Sequence, residues 1–204
     1  NLNRLKDVKL KILGTLDGKR LNSSVAKIRE CCKSNPQLKN TFSRNLLICL
    51  GLRAQSGVTG DTNMRVDLLF ESEEVAGISE VEFNAPVESP RDILDGFAVV
   101  SNRYDHSRST LMSLILLDEF PNHRSDFYGM IDDIKNVLEV QIKVASITTL
   151  LALIWAGIKC TSDLKLFDSF RISHELPTIF PQMKKCIGEK SLTNIPKAYF
   201  EPRK

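Results

Sequence analysis

The sequence has no apolar run of membrane length. Its most apolar segment, Val144–Ile158, is 15 residues long, lies between Lys143 and Lys159, and includes Ser146, Thr148 and Thr149. A spanning helix needs about 20 apolar residues, so this segment reads as buried core and no membrane partner is expected. Disulfide scaffolding is also missing. The five cysteines are an odd number, with Cys31 and Cys32 adjacent and Cys49, Cys160 and Cys186 scattered. No C-x-x-C pair and no Cys/His spacing suited to zinc occurs. Buried free thiols and a reducing, cytoplasmic setting are expected, and the opening residues carry no signal-peptide pattern. Ten glycines and eight prolines are too few for a low-complexity chain. The three histidines, His106, His123 and His174, have no metal-binding spacing and read as surface residues. A serine-hydrolase elbow, a P-loop and a dinucleotide fingerprint are all absent.

What is present is an ordinary globular composition: 204 residues, 42% hydrophobic and 26% charged. That suits a single domain spanning residues 1–204. The net charge of +3 hides an uneven distribution. Residues 1–60 carry 12 Lys/Arg against 3 Asp/Glu, residues 61–140 carry 6 against 17, and residues 141–204 carry 10 against 5. Two basic arms therefore flank an acidic middle. Such asymmetry points to a polyanionic partner, and a metal ion would give the acidic block a reason to face it. The alternative is a set of solvated surface charges.

Hydrophobic periodicity divides the chain further. Ser23 or Ser24 can cap a helix running to about Lys33, and Asn35-Pro36 interrupts it. A second helix carries Leu38, Phe42, Leu46, Leu47 and Leu50. Residues 56–61 (SGVTGD) read as a loop. The period then switches to two. Residues 64–70 predict a strand with Val66, Leu68 and Phe70 on one face and Asp67 on the other, and residues 78–83 predict a second strand after a polar turn. A helix over about 91–104, a strand over 111–117, a helix capped by Ser125 or Asp126, a strand over 142–147 and a helix over 148–156 follow. The tail from Cys160 gives mixed signals. This order predicts an α/β fold, a mixed central sheet flanked by helices, with a parallel portion after an opening hairpin.

The chemistry-bearing feature is Asp67 with Glu80 and Glu82. Period two places Glu80 and Glu82 on one face of a strand, and Asp67 lies in its predicted hairpin partner. Three converging carboxylates repel one another, and a divalent cation relieves that repulsion. Oxygen-only ligands suit Mg²⁺, with Mn²⁺ as a substitute. An exposed acidic sheet face is the alternative.

Asp67, followed in the next strand by Glu80-Val81-Glu82, resembles the metal-site hairpin of the PD-(D/E)xK nuclease superfamily, which includes most type II restriction endonucleases. The element order over residues 37–147 is similar to the restriction-endonuclease-like core, so a nuclease-like core over about 37–158 with basic extensions is expected. Val66 precedes Asp67 where the family often has proline, and Glu82 stands where it usually has lysine; some restriction enzymes carry E-x-E there. The resemblance implies a Mg²⁺-dependent endonuclease hydrolysing DNA phosphodiester bonds. In it, Asp67 and Glu80 hold the metal and Glu82 orients or deprotonates the attacking water. It also implies double-stranded DNA as partner, phosphate contacts from the basic flanks, and a homodimer that cuts both strands. Glu30 is a further candidate outer acidic ligand. A non-catalytic nucleic-acid-binding or assembly module with a decayed site is the competing expectation.

Overall fold

The structure, a computed structural model, describes residues 18–57, 66–73, 75–84, 86–103, 111–159 and 176–187. Two helices open the described chain, α1 (Gly18–Ser34) and α2 (Pro36–Cys49). They are separated by Asn35, whose side chain accepts from the Gln37 N–H while Pro36 takes the first helical position. Proline there loses no intrahelical hydrogen bond and has its φ already set, so the break expected at Asn35-Pro36 restarts a helix at once. Helix α1 begins earlier than its candidate caps, and Ser23 and Ser24 lie inside it.

The sheet has five strands in the order β1 (Arg53–Ser56), β2 (Leu68–Glu71), β3 (Ala76–Glu82), β4 (Leu111–Leu117) and β5 (Ile142–Ser146). The first three pair antiparallel and the last three parallel. Helices α3 (Ser89–Arg103) and α4 (Asp126–Leu138) make the crossovers, α5 (Ile147–Trp155) follows β5 directly, and α6 (Leu176–Ile187) ends the described chain. The expected α/β architecture with a mixed sheet is therefore present. The parallel half is explained by burial. All seven residues of β4 are buried, because strands flanked by crossover helices have no solvent face.

Two cores cover the two sheet faces. Ile93 and Phe97 of α3 and Phe127, Ile131 and Ile134 of α4 pack with Ile78, Ile115 and Val144 on one face. Val25 of α1, Leu47 of α2 and Leu50 at its C-cap, Leu150 and Leu153 of α5, and Ile179, Phe180 and Met183 of α6 pack with Phe70, Val81 and Leu114 on the other. Successive β4 residues alternate between these clusters, as strand geometry requires. Trp155, read as core, is buried and meets Phe180 edge-on with ring centroids 5.7 Å apart. Of the cysteines read as buried, Cys32 is buried and Cys49 intermediate, but Cys31 is exposed, on the solvent side of α1. Cys160 lies outside the described residues, as do His106 and His174. No described helix is long and apolar enough to cross a membrane.

Several boundaries differ from expectation. Strand β1 fills a stretch given no element, and α6 lies in the tail of mixed signals. Residues 58–65, which include most of the expected SGVTGD loop and the start of the expected strand over 64–70, lie outside the described residues. Val66 packs with the α3/α4 cluster, whereas Leu68 and Phe70 pack with the opposite one. The three therefore do not share a face. Regular pairing of β2 with β3 ends at Leu68 opposite Ser79, so the two-residue alternation does not extend back to Val66.

Gly77 pairs with Phe70 across the β2–β3 hairpin, and a Cβ at Gly77 would run into the Phe70 ring. The ring is 3% exposed and has little room to yield. Gly77→Val is expected to destabilise the protein by about 1–3 kcal/mol, the usual cost of overpacking. Denaturant melts of the two proteins check this, and an unchanged midpoint would contradict the packing argument.

Candidate active site

The site forms where the β2–β3 hairpin stops pairing. Asp67 sits one residue before β2, and its backbone carbonyl accepts from the Gly57 N–H at 2.9 Å. Its side chain takes over where the β2–β3 ladder ends. Oδ2 accepts from the Val81 N–H at 2.9 Å, and Oδ1 accepts from Asn40 Nδ2 of α2 at 2.7 Å. Continuing the register from Leu68–Ser79 puts Asp67 opposite Glu80. Their carboxyl groups share a hydrogen bond, and the Glu80 carboxyl is pushed up to about 9. Burial is the larger cause; the Asp67 charge and the shared hydrogen bond add to it, and Lys39 opposes it. Asp92, in the first turn of α3, feels Glu82 and Asp67 as well as its neighbours Glu88 and Asp95, and its own carboxyl is raised chiefly by burial.

The structure thus brings Asp67 and Glu80 together. Glu82 lies at the same end of β3, but its Oε1 accepts from the Phe83 and Asn84 N–H groups at 2.8 and 2.9 Å. Its Oε2 lies 3.7 Å from Lys39 Nζ. Lys39 also donates to the Val81 carbonyl and, among the described residues, brings a cation to this acidic cluster. Glu30 is exposed on α1. The sequence reading missed Lys39 and Asn40. Both stand near the start of α2, 42 and 27 residues from their partners. No local signal in the sequence marks them, since their partners lie far along the chain.

An oxygen-only set fits a hydrated divalent cation. A cation between the two carboxyl groups would relieve the repulsion and burial that push the Glu80 carboxyl up, and Mg²⁺ keeps most of its own water. Among the described residues, no three His, Cys, Asp or Glu side chains form a ready-made metal cage. Two grooves, of about 400 and 330 Å³, lie elsewhere. The first covers the turn end of the hairpin beside Arg53 and Glu71, and the second separates the starts of α3 and α4.

A second charged group holds α1 to the end of β4. Arg29 donates to the Glu119 carboxylate at 2.7 Å and to the Asp118 carbonyl, and Lys33 lies 3.4 Å from Asp118 Oδ2. Asp118 is 4% exposed; burial raises its carboxyl while Lys33 and Arg29 oppose the rise. In the loop after β4, His123 and Arg124 are exposed, as read for the histidine, and Ser125 caps α4. No protein-family model and no curated protein matches this sequence.

The Glu80 proton gives a testable pH dependence. The folded chain keeps it to about 9, against an ordinary value of 4.5, so between these values the folded state binds more protons than the unfolded one. Stability of the metal-free protein should therefore fall as pH rises through that window. Glu80→Gln fixes the neutral form and should flatten the fall. Thermal melts in chelator at about pH 5.5 and about pH 8.5 measure this, and equal slopes in the two proteins would contradict the assignment.

Proposed function

We propose that the protein is a divalent-metal-dependent nuclease of the PD-(D/E)xK type, acting on double-stranded DNA, with Mg²⁺ as its ion and Mn²⁺ as a substitute. The observation that carries this reading is the opposed pair Asp67 and Glu80 at the open end of a hairpin, with the Lys39 ammonium beside them. That pair is the chemistry the resemblance implies, and the α/β sheet supplies the order of elements it requires.

Asp67 and Glu80 are the residues that would hold the cation, which supplies Lewis-acid stabilisation of the negative charge that develops on the phosphate. Asp67 is oriented in advance, each oxygen fixed by a separate donor. Glu80 must release its proton to act as a ligand, and the Lys39 charge favours the release. Lys39 brings an ammonium to Glu82, the position at which the family usually keeps lysine. From there it serves to hold the attacking water or to neutralise a phosphate oxygen. Glu82, with one oxygen on two backbone N–H groups, then orients Lys39 as well as any water. A homodimer would place two such sites on two strands.

The second reading, a non-catalytic nucleic-acid-binding module, is favoured by the tie of Glu82 Oε1 to two backbone N–H groups, which commits one of the two oxygens a water-activating base would offer.

Cleavage of plasmid DNA with Mg²⁺ and with Mn²⁺ separates the two readings. Asp67→Asn and Lys39→Ala are each expected to lower the rate by about 100-fold or more, and DNA affinity, which rests on phosphate contacts, should change little. Cleavage by Asp67→Asn at the rate of the unaltered protein would sink the metal-site assignment. Absence of cleavage by the unaltered protein under all conditions would favour the binding module. In either reading DNA affinity should fall steeply between about 50 and 200 mM salt, and a flat profile would remove DNA as the partner.

A further inference from the structure

Asn40 has two polar atoms, and Asp67 uses one of them. Its Nδ2 donates to Asp67 Oδ1 at 2.7 Å, an orientation the carboxylate imposes because it can only accept. Its Oδ1 is buried and has no hydrogen-bond partner. The two atoms share one carbon, so by covalent geometry Oδ1 lies within about 5 Å of the Asp67 carboxylate. One turn along the same face of α2, the Ser43 hydroxyl is also buried without a partner. A buried acceptor left unpaired is destabilising, because it has given up its hydrogen bonds to water. What the position lacks is a donor, beside a group read as a metal ligand.

Resting on the nuclease reading, we propose that Asn40 is a positioning residue of the metal site. Its amide N–H group fixes Asp67, and its amide oxygen accepts a hydrogen bond from water brought in with the cation. Mg²⁺ and Mn²⁺ at a site with two carboxylates retain water, and that water presents protons outward. An unpaired carbonyl next to the ligand carboxylate is the complement of such a donor. Outer groups of this kind orient ligands and tune metal affinity without touching the metal. A carboxylate at position 40 could not replace the amide, because it would face Asp67 without a proton to donate.

The test is Mn²⁺ binding to the full chain by calorimetry, in the absence of DNA, for the unaltered protein, Asn40→Ala and Asp67→Asn. Asn40→Ala is expected to weaken Mn²⁺ binding by about 10–100-fold while the circular dichroism spectrum stays unchanged. A purely structural contact would lower Tm and leave Mn²⁺ affinity within about twofold; that result, with binding lost in Asp67→Asn, would overturn this inference and leave the nuclease reading standing. Failure of the unaltered protein to bind Mn²⁺ would overturn both. Should Asn40→Ala fail to fold, Asn40→Leu keeps the volume while removing both polar functions, and the same two results decide.

Discussion

The Asp67 carboxylate is the tie on which the site depends. It stands where the β2–β3 ladder ends, and its two oxygens are bound to different elements, Asn40 of α2 and the Val81 N–H of β3. This fixes the start of one helix over the open end of a hairpin. It also brings Glu80 close to a second carboxyl group in a partly buried position, and burial with the Asp67 charge pushes the Glu80 carboxyl up. The same end of that helix delivers Lys39, whose ammonium is held by the Val81 carbonyl and lies near Glu82. A single contact between α2 and the hairpin thus sets the position of both acids and of the cation beside them.

Charge works inside the fold as well as on its surface. Four ion pairs among the described residues join the basic first block of the sequence to its acidic middle: Arg29–Glu119, Lys33–Asp118, Lys39–Glu82 and Arg53–Glu71. The two blocks are partly complements of each other, so not all of the N-terminal excess is available to a polyanion. Arg53–Glu71 is exposed and worth little. The Lys33–Asp118 pair differs, because that carboxylate is nearly enclosed, and losing Lys33 would leave a charge away from water. Together with Arg29–Glu119 it holds α1 to the end of β4, at the same end of the sheet as the acidic site, since β3 and β4 run parallel with Glu82 beside Leu117.

Much of the fold was legible because its signals are local. The apolar run over β4 reads as a buried strand and is one, from Leu111 to Leu117. The Ser125 cap and the spacing of Phe127, Ile131 and Ile134 define α4. Strand β1 was not legible, because Arg-Ala-Gln-Ser has no β-branched residue and no alternating apolar face; it is a strand because β2 offers it an edge. Helix α6 contains Pro181, which argues against a helix, yet Ile179, Phe180 and Met183 are buried against the α5 layer, and that burial outweighs the local preference.

The candidate site divides along the same line. The nearness of Asp67 and Glu80 was foreshadowed by the sequence, since a short turn between two strand-like segments makes them candidate neighbours across a hairpin, while the exact placement of Asp67 beyond the last regular pair came from its tertiary contacts. Lys39 and Asn40 were placed only by the tertiary structure. Nothing local distinguishes them from other polar residues on an amphipathic helix. Their roles arise from the packing of Leu46 and Leu47 of α2 and Leu50 at its C-cap into the core shared with Phe70 and Val81, which fixes where the start of that helix points. A hairpin is a contact between near neighbours in the chain, whereas the approach of a helix to a strand 42 residues away is set by burial of the whole core.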